Sequence, residues 1–270
     1  MKSLSLDTFT LKLIAIISMA LHHVVMVLWE VMPLWIHIPA YALRGITFPI
    51  MAFFLVEGFR RTSNLKRYML RLLIFAVVSQ VPYALALGTP LWTPLNIIFT
   101  ILLGLCCLVL HDKLYIKAQK RALFIILFIL IVIASGVLGF EGGVVGPLLI
   151  FLYYIIKDEK KRRFWPLIVW SALNIVFSLL NRITFLALEG TGELAALLKG
   201  QPDMINIELI MMHYLYIIPI GTLLVIPLIM AYNGERGRRA KWLFFFFYPG
   251  HWAVLAIIAF ALGVVQFNLF

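Results

Sequence analysis

Two adjacent histidines, His22 and His23, stand inside the apolar run "AIISMALHHVVMVLWE" at residues 15–30. An imidazole there has lost its water, so the pair either hydrogen-bonds a neighbouring helix or does chemistry. Imidazole titrates near neutrality and can take a proton from an amine or hydroxyl and return it, which is the work of a general base. Adjacent helical residues point about 100° apart, so at most one of the two would face a given cavity squarely. They lie roughly halfway along their apolar run.

Other polar residues share the apolar surroundings: Arg44, Glu57, His213 and His251, with Gln80, Asn96 and Asn174 as neutral companions. Arg44 keeps its charge and must be paired or face water. Glu57 follows it about three and a half turns later, and either could simply form an ion pair with another helix. Pro49, between them, should kink this helix and free a backbone carbonyl. The amides read as helix–helix hydrogen bonds, although Gln80 and Asn96 could also line a polar cavity.

The elements that position these residues are apolar helices. Of the 270 residues, 63% are hydrophobic and 13% charged, with mean hydropathy +1.02. Soluble domains average about 45–50% apolar and about 25% charged. Apolar runs of about 20 residues recur along the chain, continuous rather than alternating, so a helical bundle is expected and a barrel is not. The expectation is an all-α, polytopic membrane bundle, one domain over 1–270. Nine spans are placed near 11–29, 38–59, 68–88, 95–111, 121–140, 143–156, 165–187, 205–231 and 242–268. The short sixth could be tilted or re-entrant, which would leave eight. The first reads as a retained span rather than a cleaved signal. No internal repeat stands out.

Basic residues set the orientation. They fall before the first run (Lys2, Lys12) and in alternate loops, while the intervening loops "EVMPLWIHIP", "GTPLWTP" and "GFEGG" are nearly free of positive charge. The positive-inside rule then puts the N-terminus in the cytoplasm and, with nine spans, the C-terminus outside. The longest outer loop is 182–204. The net charge of +11 is thereby explained by topology and anionic lipid, without nucleic acid. Cys106 and Cys107 are neighbours in an apolar run, poorly placed for a disulfide, and no metal site is expected.

Two basic segments have more than topological content. "EGFRRTSNLKRYMLRLL" brings Arg60, Arg61, Lys66, Arg67 and Arg71 beside Thr62, Ser63 and Asn64. "AYNGERGRRAKW" joins Tyr232 and Asn233 to Arg236, Arg238, Arg239 and Lys241. Each could be a topogenic loop. Together they could clamp a polyanion through arginine forks and glycine amides.

These stretches resemble the TraX family, linked to N-terminal acetylation of F-type pilin and similar to the wider transmembrane acyltransferases. The likeness runs from "LKLIAIISMALHH" through "RGITFPIMAFFLVEGFRRTSNLKRYMLRLLIFAVVSQVPY" and "LNIIFTILLGL" to "YNGERGRRAKWLFFFFYPGHWAVL". The resemblance implies a multi-pass protein of the bacterial inner membrane that moves an acetyl group from cytosolic acetyl-CoA to an amine or hydroxyl. The acceptor would be a pilin-like peptide end, a glycan or a lipid. His23, matching the motif histidine, would be the base or a transient acyl carrier. Arg44 would hold the carbonyl or the cofactor. CoA would be bound among Glu57, Arg60, Arg61, Arg67, Arg71, Tyr232, Asn233, Arg236, Lys241 and His251. Where the family usually has Asp-His, this chain has His22-His23. Where the family usually has Asp-Tyr-Gly, it has Glu141-Gly142-Gly143, and Glu141 receives no role. A competing class is a proton- or anion-coupled transporter using the buried His and Arg residues. A scaffold without chemistry would not need mid-span histidines, and the lack of duplicated halves weighs against the transporter.

Overall fold

The computed structural model describes residues 5–190 and 217–265. His213, the start of the expected eighth span and most of the expected 182–204 loop lie outside them. Among the described residues the protein is helical, with two isolated β-bridges and no strand. In chain order the helices are α1 Thr8–Val27, α2 Leu34–Arg61, α3 Leu65–Leu87, α4 Ile97–Leu110, α5 Arg121–Val137, α6 Val145–Ile155, α7 Glu159–Gly190, α8 Ile218–Leu223, α9 Val225–Met230 and α10 Lys241–Ala261. A one-turn 3₁₀ helix, Trp29–Val31, links α1 to α2, and α4 continues as a π-helical His111–Lys117.

Among the described residues six segments, α1, α2, α3, α4 with its extension, α7 and α10, are long and apolar enough to cross a membrane; α5, α6 and the α8–α9 pair are shorter. Their outward faces repeat at helical spacing. Leu70, Leu73, Ile74, Val77, Val78 and Val81 of α3 are all exposed apolar residues, a stripe that lipid would cover. Inward faces form two cores. One joins α1, α2, α4, α6, α7 and α9 around Leu11, Ile50, Phe53, Leu105, Tyr153 and Ile229. The other joins α1, α3 and α10 around Met19, Tyr83, Trp252 and Leu255.

Local chemistry starts and joins the helices. Asp7 caps α1 by accepting the Thr10 amide (2.7 Å), Asn64 caps α3 through the Arg67 amide (2.9 Å), and Asn96 caps α4. The α2 helix is continuous through Pro39 and Pro49, and Pro49 frees a carbonyl as the sequence suggested. Proline has no N–H, so the Gly45 carbonyl one turn earlier loses its helical donor. The Thr222 hydroxyl of α8 supplies one at 3.2 Å. That bond requires near-contact of the backbones. A β-carbon on Gly221 would sit 1.9 Å from the Ala42 oxygen, and one on Gly45 2.3 Å from the Ile218 oxygen.

The basic segments gather at one end. Leu6 and Tyr232 form a parallel bridge, with Leu6 N–H on Ala231 O (2.8 Å) and Asn233 N–H on Leu6 O (2.9 Å). Arg163 donates to Tyr232 O (3.0 Å), Arg162 pairs with Glu57 (2.9 Å), and Arg60 donates to Tyr154 O (3.0 Å). These contacts place the starts of α1, α3 and α7 and the ends of α2 and α6 at one level, the basic end.

Candidate active site

His23 lies three quarters of the way along α1, about 22 Å from its basic end at 1.5 Å per residue, deeper than a halfway position. Two other elements end near that depth. The 11-residue α6 spans only about 16 Å from the basic end, short of the roughly 30 Å hydrocarbon core, and the start of α4 at Ile97 meets the turn that precedes α6. The turn between α5 and α6 therefore ends inside the protein, and it carries Glu141 to His23. Glu141 Oε1 is 4.0 Å from His23 Nε2.

Glu141 is seated on the N-terminus of α4, where unpaired amides and the helix dipole favour a carboxylate. Its Oε2 accepts the Ile97 amide at 2.9 Å. That helix start is itself fixed from α3. The Asn96 side chain accepts from Ile98 N–H and donates to Ala76 O and Gln80 Oε1 (both 2.8 Å), while the Gln80 amide donates to Pro94 O (2.9 Å). Gln80 and Asn96 thus make the helix–helix bonds expected of them and stay out of the cavity wall. The turn is pinned as well. Glu141 N–H bonds Leu95 O (2.9 Å), Gly142 N–H bonds the Thr100 hydroxyl (3.2 Å), and the Ser135 hydroxyl bonds Gly143 O (2.9 Å). A β-carbon on Gly142 would come within 2.5 Å of the Thr100 methyl, so this position has room only for glycine.

On its other side His23 meets α10. Its Nδ1 lies 2.8 Å from His251 Nε2, and His251 Nδ1 lies 2.9 Å from Phe247 O. The His23 ring stacks on Trp252, centroids 4.2 Å apart. His22 turns toward α2 and meets Tyr41 edge-on at 5.2 Å; among the described residues its buried Nε2 has no hydrogen-bond partner. Arg44 reaches the same space and acts electrostatically on His22, His23 and Glu141.

One cavity of about 1370 Å³ joins this group to the basic end. Its deep wall holds His22, His23, Arg44, Glu141 and Asn174. Its middle is apolar, with Met51, Phe75, Ile101 and Phe244. Its rim carries Lys12, Arg61, Arg236, Arg238 and Arg239. Lys12 sits between the Phe54 and Phe244 rings, 5.3 and 5.7 Å from their centroids. The rim loop is tied to the start of α1, since Thr8 N–H donates to Glu235 O (2.9 Å) and the Thr8 hydroxyl bonds Tyr232 Oη (3.0 Å).

Of the residues singled out in the sequence, the cavity collects His22, His23, Arg44, Glu57, Arg61, Tyr232, Arg236, Arg238, Arg239 and Asn174. The Asn174 amide bonds Trp170 O of its own helix rather than another helix. Glu57 is held between Arg61 (3.1 Å) and Arg162 (2.9 Å). Arg60, Arg67 and Arg71 lie outside the cavity wall, and Asn233 bonds Ser5 (3.1 Å). His251 stands behind His23 rather than at the rim. The Lys241 side chain lies outside the described residues. No group of three or more metal-ligating side chains occurs among the described residues. The sequence reading passed over Glu141, whose signal was a lone carboxylate in the otherwise uncharged, glycine-rich "GFEGG".

No solved structure matches the chain. It is 28% identical over 267 residues to a probable fimbrial assembly protein FimC, serogroup H1, of Dichelobacter nodosus, covering 94% of this chain and 96% of the relative. The family model described as TraX protein matches residues 7–259. That stretch begins at the Asp7 cap of α1, ends within α10 and contains the whole cavity and the His251 behind it; the chain belongs to the TraX family.

Proposed function

We propose that the protein is a transmembrane acyltransferase that moves an acetyl group from cytosolic acetyl-CoA to an amine or hydroxyl acceptor at or across the membrane. The observation that carries this reading is the single cavity joining an arginine-rich rim to a buried His–Glu–Arg group. The basic end is taken as cytoplasmic, as the distribution of Lys and Arg requires. CoA's phosphates sit on Lys12, Arg61, Arg236, Arg238 and Arg239 through charge-assisted bonds. The pantetheine arm follows the apolar wall and carries the thioester about 22 Å inward.

At that depth His23 removes the proton from the acceptor's heteroatom, whose lone pair attacks the thioester carbonyl carbon. Arg44 stabilises the oxygen as it gains negative charge. The tetrahedral intermediate collapses, the C–S bond breaks, and the CoA sulfur leaves with the proton returned by the imidazolium. Glu141, fixed by the α4 amide, stabilises that imidazolium while it exists. The likeness to TraX proteins and to a relative with a fimbrial-assembly name favours a pilin-like peptide end as acceptor, ahead of a glycan or lipid.

The test uses the protein in lipid nanodiscs with acetyl-labelled acetyl-CoA. Wild type binds it and slowly releases CoA to water or hydroxylamine. His23→Ala keeps binding and loses turnover by about 10²–10⁴-fold, the usual loss for a missing general base. Replacing Arg236, Arg238 and Arg239 together by Gln weakens binding, and wild-type affinity falls as salt rises. Wild-type turnover by His23→Ala, or no binding of acetyl-CoA at all, overturns the reading.

A further inference from the structure

We infer that His251 is the positioning residue that decides which nitrogen of His23 acts as the base. The inference rests on the reading of His23 as a base, and its primary readout is independent of acetyl transfer.

The chain of hydrogen bonds permits one assignment for neutral rings. His251 Nδ1 is 2.9 Å from Phe247 O, one turn earlier on α10. A carbonyl oxygen only accepts, so this nitrogen carries the proton. A neutral imidazole has one N–H, so His251 Nε2 presents its lone pair, 2.8 Å from His23 Nδ1. His23 Nδ1 must then donate. The lone pair of His23 is left on Nε2, the nitrogen that faces Glu141 at 4.0 Å. The backbone of α10 thus dictates, through two rings, that the basic nitrogen of α1 points toward the carboxylate. Stacking of His23 on Trp252, at a centroid distance of 4.2 Å, holds the ring, and the His23 and His251 planes, 12° apart, let their nitrogens meet edge to edge.

Two features set this apart from ordinary packing. The His23 ring would fit equally well in the opposite tautomer, so shape alone does not choose the base. Loss of the His251 acceptor would also leave His23 Nδ1–H buried and unpaired. His23 escapes that cost by moving its proton to Nε2, which silences the base. In a Ser-His-Asp triad, an orienting partner that leaves histidine in the wrong tautomer costs about 10⁴-fold in rate. The partner here is a neutral ring rather than a carboxylate, so a loss of about 10- to 10³-fold in kcat is expected by comparison.

The experiment is nitrogen-15 NMR of ring-labelled histidine in the membrane-embedded protein, with the His23 signals assigned by their disappearance in His23→Ala. The expected wild-type result is a protonated Nδ1 and an unprotonated Nε2. In His251→Leu the His23 proton moves to Nε2, and kcat falls while KM for acetyl-CoA stays within about twofold, because the rim is untouched. His251→Gln, whose side-chain oxygen takes the place of Nε2 as acceptor, restores both the tautomer and most of kcat. A wild-type His23 protonated on Nε2 overturns the inference without reference to any variant. So does a His251→Gln protein as impaired as His251→Leu with the tautomer unchanged. If instead His23→Ala turns over normally while the wild-type tautomer is as described, the acyltransferase reading fails and the hydrogen-bond assignment stands.

Discussion

Replacing Glu141 by glutamine removes one charge and almost nothing else. Glutamine has the same shape, and its side-chain oxygen still accepts the Ile97 amide that Glu141 accepts at 2.9 Å, so the turn and the start of α4 stay in place. What disappears is the attraction between the carboxylate and the imidazolium that would form on His23 in the proposed transfer. At the observed 4.0 Å, two unit charges attract by about 4 kcal/mol with the effective dielectric suited to such sites. Arg44 competes for the same carboxylate, which lowers the net loss. A fall in kcat of about 10²–10³-fold is expected, at about 1.4 kcal/mol per decade. Acetyl-CoA affinity should stay unchanged, because Glu141 lies far from the arginine rim. The assay is single-turnover release of CoA in nanodiscs, with binding measured on the same samples. A kcat within threefold of wild type would refute the carboxylate's role, and a large loss of affinity with kcat intact would show that the site's depth has been misread.

Other outcomes concern the scaffold. Gly221→Val should lower the unfolding temperature in detergent or abolish folding, because its β-carbon would be 1.9 Å from the Ala42 oxygen; overpacking of this kind costs about 1–3 kcal/mol or more. Asn96→Ala removes a helix cap and leaves Gln80 short of a partner, so a loss of about 2 kcal/mol should appear as a lower unfolding temperature together with reduced turnover, since Glu141 rests on the same helix end. Hydrogen bonds from the Thr10 backbone N–H and the Thr10 hydroxyl hold the Asp7 carboxyl below its ordinary range. Its stabilisation of α1 is therefore present above that range and lost as pH falls through the lowered value, and Asp7→Asn should remove this part of the acid dependence of unfolding.

The helical segments were legible because apolar length is a local property: the expected 38–59 became Leu34–Arg61, and 68–88 became Leu65–Leu87. Choosing among the arginines was not. Arg60 and Arg61 are identical in composition terms, yet the 100° between them turns Arg60 to the Tyr154 carbonyl and Arg61 to the cavity. Glu141 was hidden for a different reason. Its proximity to His23 follows from the length of α6, from the start of α4 beside it and from a glycine that fits against Thr100, and none of these is visible from the acid's own neighbours. The family resemblance put His251 among the CoA-binding residues, but nearly three turns of α10 carry it past the rim to His23. The amides Gln80 and Asn96 behaved as general physics requires of buried polar groups, bonding across helices.

The separation between His23 and His251 is 228 residues, and the rim closes through a bridge between Leu6 and Tyr232. A nascent chain emerging into the membrane therefore carries His23 in its first described helix, and the basic rim loop and the His251 ring join it only when the segment from Tyr232 to His251 has followed. On the acyltransferase reading, the site is thus assembled late, when a distant segment of the chain docks against its first described helix.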